Sequence, residues 1–192
     1  MSVVALARAP DYAGAMEIET VRGRMELLEA GVGSPLLLLH PFPFTANVWK
    51  EQLETLSARR RVIAPNLRGF GRTAPFDAST PPSIDAMADD VAALLDALAL
   101  DGPVTLGGIS MGGYVALAFA RRHARRLGAL ILADTRAEPD DADARRKRDA
   151  SIERVNGGDV TGFVDDMLAK LTGETTRTER PDVVARLRET ML

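Results

Sequence analysis

Val104-Thr105-Leu106-Gly107-Gly108-Ile109-Ser110-Met111-Gly112-Gly113-Tyr114 reads as a short apolar strand, a tight turn carrying a serine, and the start of a helix. Within it, Gly108-Ile109-Ser110-Met111-Gly112 has the spacing G-x-S-x-G. A serine in so sharp a strand-to-helix turn is held in a strained backbone conformation that lifts its Oγ above the sheet. Glycines two residues to either side let the backbones approach that closely. In a chain with 16 glycines and seven serines the pattern arises by chance about 0.05 times, so it carries weight by itself. The competing reading is a glycine-rich turn that binds an anion or merely packs a helix closely. The phosphate and dinucleotide glycine patterns, and the lysine that phosphate loops supply, are absent.

Upstream of this stretch, Leu36 to Leu39 is a continuous apolar run, as in a strand buried on both faces of a parallel sheet. It ends at the proline-set turn His40-Pro41-Phe42-Pro43-Phe44. Asn47 is placed to cap a helix through Trp49 and Leu53 to about Ser57. Arg61 to Ala64 gives a further strand, followed by the glycine-rich loop Asn66 to Thr73. Ser83 caps a helix with apolar positions at Ala86, Val91, Leu94, Leu95 and Leu98. Leu127 to Ala133 is the last apolar strand and closes on Asp134. Ahead of all these, Met16 to Arg22 and Arg24 to Glu29 alternate about Gly23 as an antiparallel hairpin. Strands alternating with helices predict an α/β fold with a mostly parallel sheet flanked by helices and right-handed crossovers.

Beyond Asp134 the character changes. Asp140 to Asp149 is densely charged, acidic first and basic later, which suits the dipole of an exposed helix. Gly157-Gly158 breaks the chain, Val160 to Leu171 reads as an amphipathic helix, and Pro181 starts a third helix reaching Leu192. The expected division is a core over residues 1–135 and helical segments over 136–192.

The 192 residues suit a single core, and 46% hydrophobic with 27% charged residues is a globular composition. A net charge of −3 argues against nucleic acid or an anionic membrane surface as partner. With no cysteine, disulfides, thiolate catalysis and cysteine-based zinc sites are excluded. Met1 to Ala15 has no basic stretch ahead of a long apolar core, so neither signal peptide nor transmembrane helix is expected and the default compartment is the cytoplasm. No cofactor or metal is expected.

Four pieces, spanning roughly residues 16–135, together resemble the α/β-hydrolase superfamily, in particular small bacterial esterases, enol-lactonases and cofactor-free haloperoxidase-like members. Leu37 to Pro43 is similar to the family's H-G-x-P oxyanion turn, with Pro41 where glycine is usual. Asn66 to Thr73 resembles its D-x-R-G-x-G-x-S loop, with Asn66 and Thr73 at the outer positions. Gly108 to Gly113 resembles the nucleophile elbow, and Leu130 to Asp134 the strand after it. The segments from 136 onward resemble the start of a helical cap. The resemblance implies Ser110 as nucleophile, with Gly108 and Gly112 shaping its turn. It implies the backbone N–H groups of Phe42 and Met111 as the oxyanion hole; Pro41 has no N–H to give. The substrate implied is a small-molecule carboxylic ester or lactone.

A serine hydroxyl needs a general base, normally a histidine oriented by a carboxylate. In the family the chain order is serine, acid, histidine, and here no histidine follows at the expected distance. His123 lies thirteen residues along the helix from Ser110, where a cation suits the helix dipole. His40 is a turn-shaping residue or, less in keeping with the resemblance, a base. Asp134 is a loop-capping aspartate or the acid. The family's last strands and helices have no counterpart here, so these residues correspond to a truncated product or to one half of a split protein. Turnover is then expected to be absent or very weak, and the unpaired side of Leu127–Ala133 invites self-association or a companion chain. The alternative is a non-catalytic binding module that keeps the pocket.

Overall fold

The computed structural model describes residues 14–77 and 82–192. One compact unit takes the described residues up to Ala137, and a second takes Glu138–Leu192.

In the first unit the strands are β1 (Ala15–Thr20), β2 (Gly23–Ala30), β3 (Pro35–Leu39), β4 (Arg61–Pro65), β5 (Val104–Ile109) and β6 (Leu127–Ala133). Helices α1 (Lys50–Leu56), α2 (Ile84–Ala97) and α3 (Met111–Arg122) connect the later strands. The sheet order is β1-β2-β4-β3-β5-β6. The β1–β2 hairpin and the β2–β4 pair are antiparallel, and β3–β4, β3–β5 and β5–β6 are parallel.

The leucine run of β3 explains why the sheet is covered on both sides. Side chains alternate across a strand. Leu37 and Leu39 join one cluster with Ile63, Leu106, Val91, Leu94, Val115 and Phe119, the last four from α2 and α3. Leu36 and Leu38 join another with Val62, Ala64 and Leu53 of α1. From β3 the chain passes through α1 to β4 on one side; from β5 it passes through α3 to β6 on the other. Neighbouring strand ends whose connections leave in opposite directions open a crevice beyond their carboxyl ends, the usual ligand position in such sheets.

Two details differ from the sequence reading. Asn47 does not cap a helix: Ala46–Trp49 is a 3₁₀ turn, and the Asn47 amide donates to Thr45 Oγ1 (3.1 Å). The α-helix proper begins only at Lys50. Ser83, by contrast, caps α2 by accepting from Ala86 N–H at 3.0 Å. The second unit holds four helices rather than three: α4 (Ala142–Asn156), α5 (Val160–Leu171), α6 (Glu174–Glu179) and α7 (Pro181–Met191). The polar run Glu-Thr-Thr-Arg-Thr-Glu of α6 has no apolar residue to show a period. Asp141 and Asp159 cap α4 and α5, and Val164, Leu168 and Met191 are buried. Among the described residues no helix is long and apolar enough to cross a membrane.

The outer strand β6 pairs with β5 alone among the described strands, and its Ile131 and Leu132 are 48% and 45% exposed. At the other side of the sheet a buried ion pair ties three segments together. Arg68 grips Asp90 with two hydrogen bonds (2.6 and 2.7 Å), Arg22 adds a third to the same carboxylate (2.7 Å), and Arg68 also donates to the Arg22 carbonyl (2.6 Å). Both Arg68 and Asp90 are nearly inaccessible. Removing one partner of such a pair strands a desolvated charge. Asp90→Ala is therefore expected to lower unfolding free energy by about 3–5 kcal/mol. The measurement is the urea midpoint at constant slope; a loss below about 1 kcal/mol, the value of a surface pair, contradicts it.

Candidate active site

The turn after β5 is built from backbone contacts. Ser110 has φ 49° and ψ −113°, a conformation L-residues rarely adopt, and it immediately precedes α3. A Cβ on Gly108 would run into the Gly112 carbonyl and the Gly113 nitrogen. One on Gly112 would strike the carbonyls of Leu39 and His40. The two glycines of the motif thus serve two approaches, strand to helix and helix to the turn after β3. The parallel register, with Leu39 beside Gly108, sets these segments side by side.

The Ser110 peptide groups are held from both directions. Its N–H donates to the Ala133 carbonyl (3.2 Å), and its own carbonyl accepts from Gly113 N–H (2.9 Å), Tyr114 N–H (3.1 Å) and Thr135 Oγ1 (2.9 Å). The Met111 and Gly112 amides open the helix, where no carbonyl four residues back is available to them and the dipole is positive. The facing turn is closed by Phe44 N–H on the Pro41 carbonyl (3.0 Å) and contains a cis Phe42–Pro43 peptide. Phe42 is 40% exposed and meets Phe70 edge to face, while Phe70 in turn meets His40.

His40 is wholly buried, and both ring nitrogens are engaged. Nε2 accepts from Leu67 N–H at 3.0 Å, so the proton sits on Nδ1, which donates to the Pro41 carbonyl at 3.1 Å. Burial holds its pKa down at about 4, opposed in part by that carbonyl. No lone pair is left for a serine hydroxyl. His123 caps the far end of α3, about 20 Å along from Ser110 at 1.5 Å per residue, with Nε2 2.8 Å from Asp89. Asp134 follows β6 in an exposed, left-handed conformation (φ 42°). The structure therefore brings together Gly108, Ser110, Met111, Gly112 and the 40–44 turn, with Asp134 next to the strand end that holds Ser110 N–H. It keeps His123 away.

Two contributors had no signal in the sequence. Glu26 on β2 is buried and accepts from the Asn66 amide (2.6 Å) and Arg72 N–H (2.7 Å), while Asn66 Oδ1 accepts from Ala46 N–H (2.6 Å). Thr73 Oγ1 donates to the Asn66 carbonyl (2.8 Å). These bonds fasten the 66–73 loop to β2 and to the 3₁₀ turn, and the Leu67–His40 bond joins it to the 40–44 turn. The only trace of Glu26 in sequence is an acid between Met25 and Leu27 on a strand. Thr135, the other, is simply the second residue past a strand end.

The His40 arrangement has a pH consequence. The unfolded imidazole (pKa 6.5) binds a proton before the folded one (about 4). Stability is then full above about pH 6.5 and falls as pH drops towards 4, by roughly 3 kcal/mol in all. Urea midpoints for wild type and His40→Gln between pH 7.5 and 4.5 are expected to converge on acidification; parallel profiles contradict the buried neutral imidazole.

Residues 34–177 match the family model described as alpha/beta hydrolase fold. The chain is 37% identical over 113 residues to 2-hydroxymuconate semialdehyde hydrolase of Pseudomonas sp. (strain CF600), an alignment covering 57% of this chain and 39% of that protein. Among solved structures, it is similar to a thermophilic esterase from Thermogutta terrifontis (41% identity, TM-score 0.83, 94% of this chain and 67% of the esterase). It shares its fold with the enol-lactonase from Burkholderia xenovorans LB400 (23% identity, TM-score 0.79, 92% of this chain and 67% of that one). The chain spans half or less of the length of the curated relatives it matches. On the match over residues 34–177, the chain belongs to the α/β-hydrolase fold family.

Proposed function

We propose that these residues carry the nucleophile and the oxyanion-stabilising part of a hydrolase acting on a small carboxylic ester or lactone. The observation that carries this reading is Ser110 at φ 49° at the head of α3, packed against the 40–44 turn. Ser110 Oγ attacks the carbonyl carbon as its proton passes to water, and the electron pair displaced from the C=O bond onto the carbonyl oxygen is met by the Met111 and Phe42 N–H groups. Fixed donors need no reorganisation at that moment, and each is worth roughly 3–4 kcal/mol of barrier. That a solved structure 41% identical to this chain is an esterase supports ester chemistry at this site.

The base is not among these groups: His40 is occupied by Leu67 N–H and Pro41, and His123 by Asp89. Unassisted, the hydroxyl keeps its proton, and what remains is the roughly 10³–10⁴-fold advantage over water left by an oxyanion hole and binding. The same two engagements favour a second reading, a binding module that keeps the pocket without turnover. The exposed β6 edge is, on either reading, where a companion strand or a second copy of the chain pairs.

Hydrolysis of p-nitrophenyl acetate by wild type and Ser110→Ala separates the two. Weak cleavage that disappears in Ser110→Ala is expected, and added imidazole, an external base, should raise the wild-type rate beyond its effect on the variant. Equal rates in both proteins, with and without imidazole, reject the hydrolase reading in favour of the binding module. Fast, Ser110-dependent cleavage without imidazole places a base inside this chain and sends the search back to His40, through His40→Ala.

A further inference from the structure

We infer that Thr135 is a positioning residue for the oxyanion donor, acting through the peptide that joins Ser110 to Met111; this rests on the hydrolase reading above. Its hydroxyl donates to the Ser110 carbonyl at 2.9 Å. That carbonyl and the Met111 N–H belong to one rigid, planar peptide unit. Whatever fixes the oxygen therefore fixes the direction of the N–H on its other side. Hydrogen bonding to the oxygen also polarises the unit and makes the N–H a stronger donor, as in any chain of hydrogen bonds.

The rest of the local geometry fits a clamp. Ala133 accepts from Ser110 N–H, and Thr135, two residues on, donates to Ser110 C=O. Asp134 between them takes φ 42°, the bend that lets one short segment reach both ends of the same residue. The threonine methyl and Cβ lie within 2.6 Å of where a Cβ on Gly113 would sit, so Gly113 makes room for this side chain. Two main-chain donors, Gly113 and Tyr114, already satisfy the Ser110 carbonyl. The third bond is thus superfluous for pairing that acceptor and has its effect on orientation and polarity.

The test compares wild type with Thr135→Val, which keeps the shape against Gly113 and deletes the hydroxyl, and Thr135→Ser, which restores it. Backbone NMR of the 192-residue chain reads the Ser110 carbonyl carbon and the Met111 amide directly. Both are expected to move upfield in Thr135→Val and to return in Thr135→Ser. In Ser110-dependent cleavage of p-nitrophenyl acetate, Thr135→Val is expected to lower kcat about tenfold with KM unchanged, and Thr135→Ser to recover it. Unmoved resonances, or a rise in KM with kcat intact, overturn the inference. If wild type shows no Ser110-dependent cleavage while the resonances shift, the hydrolase reading fails; the bond then stands as structural and the catalytic part of the inference falls with it. Should Thr135→Val not fold, Thr135→Ala against Thr135→Ser gives the same comparison.

Discussion

The arrangement around Ser110 depends on three stretches of backbone meeting with nothing between them. Gly108 touches the first turn of α3, and Gly112 touches the carbonyls that end β3. Neither contact tolerates a methyl group, because the atoms opposite belong to main chain and have no rotamer to change. From this follow the strained serine, the orientation of the helix head, and the closeness of the 40–44 turn to both. The parallel β3–β5 pairing supplies the register that makes the meeting possible.

A second layer of constraint is polar and buried. The turn after β3 sits on the 66–73 loop through His40, and that loop is fastened to β2 and to the start of the 3₁₀ turn through Asn66, Glu26 and Thr73. Such networks fix geometry when every member is satisfied, and here the bonds join β2 to the segments that follow β3 and β4. The proline at position 41 removes one N–H from the turn, yet its carbonyl is used twice, by Phe44 N–H and His40 Nδ1. The neutral imidazole is as much a part of this scaffold as the backbone it joins.

Much of this was legible in the sequence. Leu36–Leu39, with leucine at every position, could only be a strand covered on both faces, and G-x-S-x-G marked the turn on statistical grounds. The β6 limits, Leu127 to Ala133, and those of α5, Val160 to Leu171, follow directly from apolar patterning. Less legible was anything determined by three-dimensional partners. Asn47 has the right chemistry for a helix cap, but its amide is drawn to Thr45, and the helix starts later. Helix α6 is short and polar, so its stability comes from its neighbours, including contacts with α7 rather than a periodic face. His40 carries an ambiguous chemistry in sequence, and only the amide of Leu67, twenty-seven positions away, fixes which nitrogen is protonated.

The glycines around the serine are not equivalent in what faces them. Gly108 and Gly112 look onto backbone, Gly107 onto the flexible end of Leu38 and the Ile131 side chain, and Gly113 onto Thr135. Sequence drift should therefore run at three different tempos within seven residues. Position 107 is free to gain a small side chain if Leu38 swings aside. Positions 108 and 112 are frozen, since no substitution elsewhere removes a main-chain atom. Position 113 is bound to 135 as a couple: a larger residue at one is admissible only with a smaller residue at the other, so divergent descendants of this chain would change the two in step.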